Sequence, residues 1–267
     1  MPLQLSAIAI HPLKSCAPLA LDEAVVEPRG LAHDRRWMVV DAEGRFLTGR
    51  QLPALVRIAA RPADDGLVLS APGLPHLAVA PPAPDAPRMP VVVWRDTVDA
   101  ARVAPGADAW LSSALGRPVR LVHMDDAARR PVSPQYAAPG DEVSFADGFP
   151  LLLVGQSSLD ALNARLPAPV PMARFRPNLV VKGAAPHVED GWRRIRIGGI
   201  AFDLAKPCTR CVFTTVDPEN GAFDPSGEPL QTLKHYRRTA SGVTFGVNLI
   251  ARGTGTLRVG DAVEATA

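Results

Sequence analysis

The chain has 267 residues, of which 47% are hydrophobic and 21% are charged, and its formal net charge is +2. This composition is typical of a globular protein with one large domain or two smaller ones, and it excludes an intrinsically disordered chain. The small net charge argues against nucleic-acid binding. The lack of a long apolar run argues against a membrane span, and three cysteines, an odd number, argue against a secreted disulfide framework. We therefore expect a cytoplasmic monomer that binds neither nucleic acid nor membrane.

The first third of the chain is predicted to form short strands. Apolar and β-branched runs occupy residues 3–10, 37–40, 57–60, 66–70, 77–80 and 90–94. Glu43-Gly44 is a hairpin turn signal, and a further strand is predicted after it at 45–48. With 28 prolines and 21 glycines, many short strands and turns are favoured over long helices.

The rest of the chain adds two predicted helices and more strands. Helical spacing covers residues 107–115, with Gly116 as the C-cap, and residues 157–163, with a serine as the N-cap. The proline-rich segment 125–139 has no periodicity and is predicted to connect two lobes. Strands are predicted at 178–181, 194–197, 200–204, 211–216, 244–250 and 256–260, with Gly198-Gly199 as a tight hairpin. The pattern predicts a β barrel or sandwich with a few flanking helices.

The segment 206–218 contains two cysteines spaced as Cys208-x-x-Cys211. A zinc site needs four ligands, and the third cysteine, Cys16, is remote in sequence. A thioredoxin-type pair needs a cysteine at a helix N-terminus, whereas a β-branched and aromatic run follows here. The other interpretations are two buried thiols, or one thiolate that binds a soft metal already held by a cofactor. Arg210 would favour a thiolate at Cys211, but the spacing alone does not decide among the four.

Several blocks of the sequence resemble the MOSC-domain family, named for the C-terminal part of molybdenum cofactor sulfurases. The resemblance to the MOSC signature covers residues 208–218 (CTRCVFTTVDP) and 228–234 (EPLQTLK). Further similarity to the family lies at 174–180 (RFRPNLV), 245–246 and 260–263. Residues 11–16 (HPLKSC) and 30–39 (GLAHDRRWMV) resemble the β-barrel domain that precedes MOSC in mitochondrial amidoxime-reducing components and their bacterial relatives. The resemblance implies a mainly β fold with flanking helices (α+β): an N-terminal β-barrel domain over residues 1–120 and a MOSC β-barrel domain over 121–267.

The resemblance also implies a binding site for a molybdenum–pterin cofactor. In the family the second cysteine of the motif binds molybdenum, which corresponds to Cys211, our expected metal ligand and catalytic residue. Cys208 is expected to be a neighbour and not a ligand. The full set expected to bind the cofactor is Lys14, Ser15, Arg35, Asp147, Arg176, Asn178, Thr209, Arg210 and Cys211. Arg176 and Asn178 fit the polar edge of the pterin.

The cofactor phosphate is expected to bind near the N-terminal blocks. Lys14 and Ser15 supply an ammonium and a hydroxyl, and Arg35 supplies a two-pronged guanidinium. Each group also has a plainer interpretation. Lys14-Ser15 could be a solvated turn, and Arg35 could form a surface ion pair with Asp34 or Asp41.

The function that the resemblance implies is a molybdenum-cofactor-dependent oxidoreductase. It would reduce small N-hydroxylated or N-oxygenated compounds with Mo-molybdopterin, with or without an attached nucleotide. Three cysteines cannot bind a [2Fe–2S] cluster in the usual four-cysteine manner. We therefore expect electrons from a separate ferredoxin, flavoprotein or cytochrome b5-like partner, with neither a ferredoxin domain nor a membrane anchor in this chain. The alternatives are a molybdenum cofactor carrier or sulfur-transfer protein, and a non-catalytic β-barrel binding module.

Overall fold

The computed structural model describes residues 2–64 and 66–266, and this part of the chain is mainly β. The strands are β1 (Gln4–Ile10), β2 (Leu19–Leu21), β3 (Glu23–Glu27), β4 (Gly30–Leu31), β5 (Trp37–Val40), β6 (Ala59–Ala63), β7 (Gly66–Ser70), β8 (Leu77–Val79), β9 (Arg88–Val93), β10 (Asp96–Arg102), β11 (Arg120–His123), β12 (Leu151–Gly155), β13 (Leu179–Lys182), β14 (Arg194–Ile197), β15 (Ile200–Thr209), β16 (Arg238–Thr239), β17 (Gly242–Ala251), β18 (Gly255–Arg258) and β19 (Val263–Thr266). The α-helices are α1 (Pro105–Leu115), α2 (Gln156–Asn163) and α3 (Leu230–Tyr236), and short 3-10 helices cover Pro53–Arg57, Met172–Arg174, Val188–Gly191 and Val212–Thr215. The predicted fold class, mainly β with flanking helices, is confirmed.

The largest sheet has the strand order β19-β14-β15-β17-β12-β13-β1-β2, with β16 added to β17. Its pairs are antiparallel except for β12 and β13, which run parallel. Parallel neighbours need a crossover connection, and α2 provides it here. Two smaller sheets, β5-β11-β10-β9 and β6-β7-β8, lie in the N-terminal half, and β3 joins β4 and β18 in a third.

Strands from the N-terminus pair with strands of the C-terminal half. Ile8 of β1 lies opposite Leu179 of β13, and β3 pairs with β18. The residues directly after β1 are therefore brought beside the chain that enters β13. The boundary between sheets does not coincide with residue 120. The predicted division into domains 1–120 and 121–267 therefore stays a prediction.

One of the hydrophobic clusters packs residues of the largest sheet against β3, β4 and β18. The alternation is clearest in β14, where Ile195 and Ile197 are buried while the intervening arginines point outward. Phe202 and Leu249 have no exposed surface and pack with them. Burying a side chain of this size contributes about 1.5–3 kcal/mol, so this cluster fixes the register of the strands that carry the site.

The predicted strand at 211–216 is wrong, because residues Val212–Thr215 form a 3-10 helix. The hydroxyls of Thr214 and Thr215 donate to the carbonyls of Cys211 and Val212, at 2.9 and 2.8 Å. Such local bonds compete with pairing in a sheet, and they outweigh the β propensity of this run.

Other predicted elements differ in detail. Residues 45–48 form no strand, since only isolated bridges occur at Arg45 and Phe46. Residue 57 ends a 3-10 helix, and the strand begins at 59. The helix at 157–163 is confirmed but begins one residue earlier with Gly155 as the N-cap, because the hydroxyl of Ser158 is bonded to Glu189 instead. The predicted C-cap, Gly116, is confirmed with φ 65°. Segment 125–139 contains no helix or named strand.

Candidate cofactor site

One cavity is lined by all nine residues predicted for the cofactor site. It has a volume of about 130 Å³ and is open at the surface. The predicted residues in its lining are Lys14, Ser15, Arg35, Asp147, Arg176, Asn178, Thr209, Arg210 and Cys211. They come from stretches of chain that are remote in sequence, and the pairing of β1 with β13 and of β15 with β17 brings them together.

The lining of this cavity is strongly cationic. Its charged residues are Lys14, Arg35, Arg50, Arg174, Arg176 and Arg210, against a single carboxylate, Asp147. Like charges around one cleft repel one another, and an anion bound among them would relieve the repulsion. The cavity is therefore suited to a phosphate or another anionic ligand.

Lys14 and Ser15 are buried, so the alternative of a solvated turn is wrong. The Lys14 ammonium donates to the carbonyl of Phe145 and to the carboxylate of Asp147, both at 2.6 Å. Burial lowers the pKa of Lys14 to about 8, although Asp147 acts in the opposite direction. The Asp147 side chain itself is 74% exposed. The ammonium is therefore buried while its partner is in contact with solvent.

Arg35 does pair with Asp34, but the pair is buried and not on the surface. Asp34 has no exposed surface, and Arg35 donates to its carboxylate at 2.5 Å and to Oδ1 of Asn178 at 3.1 Å. The Asn178 amide also accepts from the backbone N–H of Leu152 and donates to the carbonyl of Ala9. Asn178 thus ties Arg35 to β1 and β12, and its contact with the pterin stays a prediction.

Arg176 lines the cavity and is only partly paired. One terminal nitrogen donates to the carbonyl of Cys16 at 2.7 Å, while the other is buried without a hydrogen-bond partner among the described residues. Burial, and then repulsion from Arg35, lower the pKa of Arg176 to about 9. An unpaired buried donor costs about 1–3 kcal/mol.

Backbone strain is concentrated in the same cavity. Ser15, Arg35 and Arg176 have φ values of 69°, 52° and 56°, in the left-handed region that side chains with a Cβ rarely adopt. Each such residue costs about 1–3 kcal/mol and persists only where its surroundings enforce it. Three at one cleft are consistent with a ligand site built at the expense of stability.

Cys211 is exposed and lies just before the 3-10 helix Val212–Thr215. The expected effect of the neighbouring Arg210 on the Cys211 thiol stays a prediction. Its guanidinium donates to the sulfur of Cys208 at 2.9 Å and to the carbonyl of Phe175. The charge of Arg210 therefore acts first on Cys208, while the sulfur of Cys211 remains available to a ligand. Thr209, the last residue of β15, is also exposed.

Sequence reasoning missed several residues of the lining, among them Thr48, Arg50, Arg174 and Phe213. Arg174 lies in the RFRPNLV block, so the block itself was a usable signal. It donates to the carbonyl of Thr215 at 2.7 Å, and its Nε is buried without a partner among the described residues. Thr48 and Arg50 lie in a polar turn with no motif, and only the folded chain reveals them.

Two family models match the chain, the MOSC N-terminal beta barrel domain over residues 3–118 and the MOSC domain over residues 140–264. Mitochondrial amidoxime-reducing component 1 of Mus musculus is 36% identical over 272 residues, which cover 95% of this chain and 79% of that protein. The chain belongs to the amidoxime-reducing component family.

Two further relatives match most of this chain but differ in how much of their own length is covered. Mitochondrial amidoxime-reducing component 1 of Homo sapiens is 33% identical, over 95% of this chain and 80% of that protein. The molybdenum cofactor sulfurase of Solanum lycopersicum is 30% identical over 92% of this chain, which corresponds to 33% of that protein. Between residues 2 and 64 and between 66 and 266, no helix combines the length and apolar character needed to cross a membrane.

Proposed function

We propose that the chain is a molybdenum-cofactor-dependent oxidoreductase that reduces small N-hydroxylated compounds. The observation that carries this proposal is an exposed cysteine, Cys211, on a cavity bordered by six cationic side chains. Relatives of this chain that are named amidoxime-reducing components support the reaction class.

The residues of the cavity fit such a cofactor. A phosphorylated pterin needs one soft ligand from the protein and several fixed donors for its anionic end. Cys211 offers the sulfur, and the buried donors of Lys14, Arg35 and Arg176 offer the anion site. The bound molybdenum would supply two-electron oxygen-atom chemistry, which belongs to the cofactor and not to protein side chains.

The protein would bind the cofactor, orient it and enclose it in the cavity. Asp34 and Asn178 hold the Arg35 guanidinium in place through hydrogen bonds, and the carbonyl of Cys16 accepts a hydrogen bond from Arg176. Donors fixed in this way bind an anion without the cost of ordering them first. Electrons would come from a separate ferredoxin, flavoprotein or cytochrome b5-like protein.

The test combines elemental analysis with turnover. We expect about one molybdenum per chain after expression in a molybdenum-replete host, and reduction of an amidoxime with an artificial reductant. Cys211→Ser should lose both, because no other sulfur takes the position of Cys211. Cys208→Ser should keep its molybdenum, since Arg210 already binds that sulfur. Loss of molybdenum in Cys208→Ser but not in Cys211→Ser would contradict the assignment of the ligand.

A cofactor carrier or sulfur-transfer protein is the second candidate. Similarity to a molybdenum cofactor sulfurase over 92% of the chain favours it, as does the exposure of the Cys211 thiol. Stoichiometric molybdenum without turnover of any N-hydroxylated compound would support this candidate over the reductase.

A further inference from the structure

Arg50 borders the cavity with an unused guanidinium. Within residues 2–64 and 66–266, no acceptor lies within hydrogen-bond or ion-pair distance of it, whereas Lys14 and Arg35 are both paired. Its guanidinium carbon lies 4.2 Å from the centroid of the Trp94 ring. A stacked guanidinium uses its face for the aromatic contact and keeps its N–H edge free for an anion.

Trp94 is held in place as a platform for Arg50. The indole is 42% exposed, its N–H donates to Asp147 at 3.3 Å, and the ring of Phe46 packs against it at 5.1 Å. Its φ is 60°, a strained value for a bulky side chain. The strained backbone, the hydrogen bond and the ring contact together hold this exposed indole in one position.

Close contacts join the segment of Arg50 and the Trp94 ring to two other parts of the cavity lining. Gly49, next to Arg50, packs against Phe213 so closely that a Cβ at Gly49 would lie 2.1 Å from the ring. Phe213 follows Cys211 by two residues and lines the same cavity. Trp94 contacts Asp147, which is the partner of Lys14. Arg50 and Cys211 therefore belong to the lining of one cavity.

We propose that Arg50, stacked on Trp94, binds a carboxylate of the substrate, so that N-hydroxylated compounds bearing a carboxylate are preferred. This assignment rests on the proposed reductase function. A guanidinium matches a carboxylate with two parallel hydrogen bonds, and the stacking on Trp94 orders the arginine before the ligand arrives. One oxygen of the nearby Asp147 carboxylate, Oδ1, already accepts from Lys14 and from the indole N–H of Trp94.

A kinetic test uses a matched pair of substrates, benzamidoxime and 4-carboxybenzamidoxime. In the wild-type holoprotein we expect a higher kcat/KM for the carboxylated compound. Arg50→Gln should lower the ratio of the two kcat/KM values about tenfold, as expected for the loss of one charged hydrogen-bonding partner. Arg95→Gln is the matched control, since Arg95 is an exposed neighbour of Trp94 outside the lining, and it should leave the ratio unchanged.

A binding test is independent of turnover. The amide 4-carboxybenzamide cannot be reduced at an N–OH group, and its binding should change tryptophan fluorescence in a saturable way. We expect this change in the wild type and in Arg95→Gln, and its loss in Arg50→Gln. Trp94→Phe should also lose the signal, because the Trp94 indole lies against the guanidinium that binds the ligand.

The outcomes separate the substrate assignment from the reductase itself. Turnover of both compounds with an equal ratio in wild type and Arg50→Gln overturns the role of Arg50 and leaves the reductase standing. No turnover of either compound, with saturable fluorescence that depends on Arg50, overturns the reductase and supports the carboxylate site. A drop in molybdenum content in Arg50→Gln but not in Arg95→Gln assigns Arg50 to the cofactor and overturns the proposal.

Discussion

The ammonium of Lys14 lies 2.6 Å from the carboxylate of Asp147, although 133 positions separate the two residues in the chain. The pair joins the end of β1 to the loop before β12 and forms one wall of the cavity. Its two members differ in environment, because the Lys14 side chain is 5% exposed and that of Asp147 is 74% exposed. The cost of burial therefore falls on Lys14, and its pKa drops to about 8.

This lowered pKa predicts a pH dependence of stability for the cofactor-free protein. A lysine with a pKa of 10.5 when unfolded and about 8 when folded binds more protons in the unfolded state between those values. The free energy of unfolding should therefore rise with pH above about 8, by about 1 kcal/mol between pH 7 and pH 9. Urea titrations of the wild type and of Lys14→Met would measure this rise, and we expect it to be smaller in the variant. An identical pH profile in the two proteins would contradict a buried, titrating Lys14.

Anion binding should show the opposite dependence on pH. A bound phosphate stabilises the charged form of Lys14, so its affinity should fall as the pH rises through about 8. Calorimetric titration of the cofactor-free protein with pyrophosphate at pH 7 and pH 9 would measure the difference. Lys14→Met should bind more weakly at pH 7 and lose most of the pH dependence. Affinity that is independent of pH in the wild type would remove Lys14 from the anion site.

Arg130 is expected to support the loop that carries Asp147. Its guanidinium is buried and donates to the carbonyls of Ser144 and Asp147, at 2.9 and 3.2 Å, while Asp96 accepts from its Nε at 2.8 Å. Arg130→Met should lower the free energy of unfolding by about 3 kcal/mol, because it leaves these acceptors unpaired. The neighbouring Arg129 is 63% exposed, and Arg129→Met should change stability by about 0.5 kcal/mol or less.

The same pair of variants tests the link between this loop and the cofactor. We expect a lower molybdenum content in Arg130→Met than in Arg129→Met, because Asp147 no longer has a fixed position beside Lys14. Denaturant titration and elemental analysis measure the two effects separately. Equal behaviour of the two variants in both measurements would show that the loop is held by other contacts.

Short sequence patterns predicted the elements that depend only on neighbouring residues, such as tight turns and alternating strands. The hairpin at Gly198-Gly199 is confirmed, with φ values of 55° and 85°, and Ile195 and Ile197 alternate with polar residues as an exposed-face strand requires. Strand β12 was missed, because Leu151–Gly155 is buried on both faces and has no alternation to identify it.

The candidate site likewise contains residues that the sequence predicted and residues that it did not. Lys14, Arg35 and Cys211 lie in blocks of sequence that resemble the family, so their shared position could be predicted. Arg50 could not, because its significance depends on stacking with Trp94, a contact made only in the folded chain. Contacts between remote segments, such as this stacking, leave no pattern in a single sequence. The part of the cavity lining that depends on such contacts could therefore not be predicted.

Gly49 is expected to tolerate no side chain, because the ring of Phe213 occupies the space. A Cβ at Gly49 would lie 2.1 and 2.4 Å from two carbons of that ring. Gly49→Ala should therefore cost about 1–3 kcal/mol of stability through overpacking. Gly106 provides the contrast, since a Cβ there meets no atom within 4 Å, and Gly106→Ala in α1 should stabilise by about 0.5–1 kcal/mol.

A double-mutant cycle shows whether the cost comes from this one contact. In a Phe213→Ala background the space is vacated, and Gly49→Ala should cost less than about 0.5 kcal/mol, so the two changes couple by about 1 kcal/mol or more. The measurement is the free energy of unfolding of the two single variants and the double variant. Additive effects would mean that strain elsewhere in the turn sets the cost. The segment that carries Arg50 would then not be anchored by Phe213.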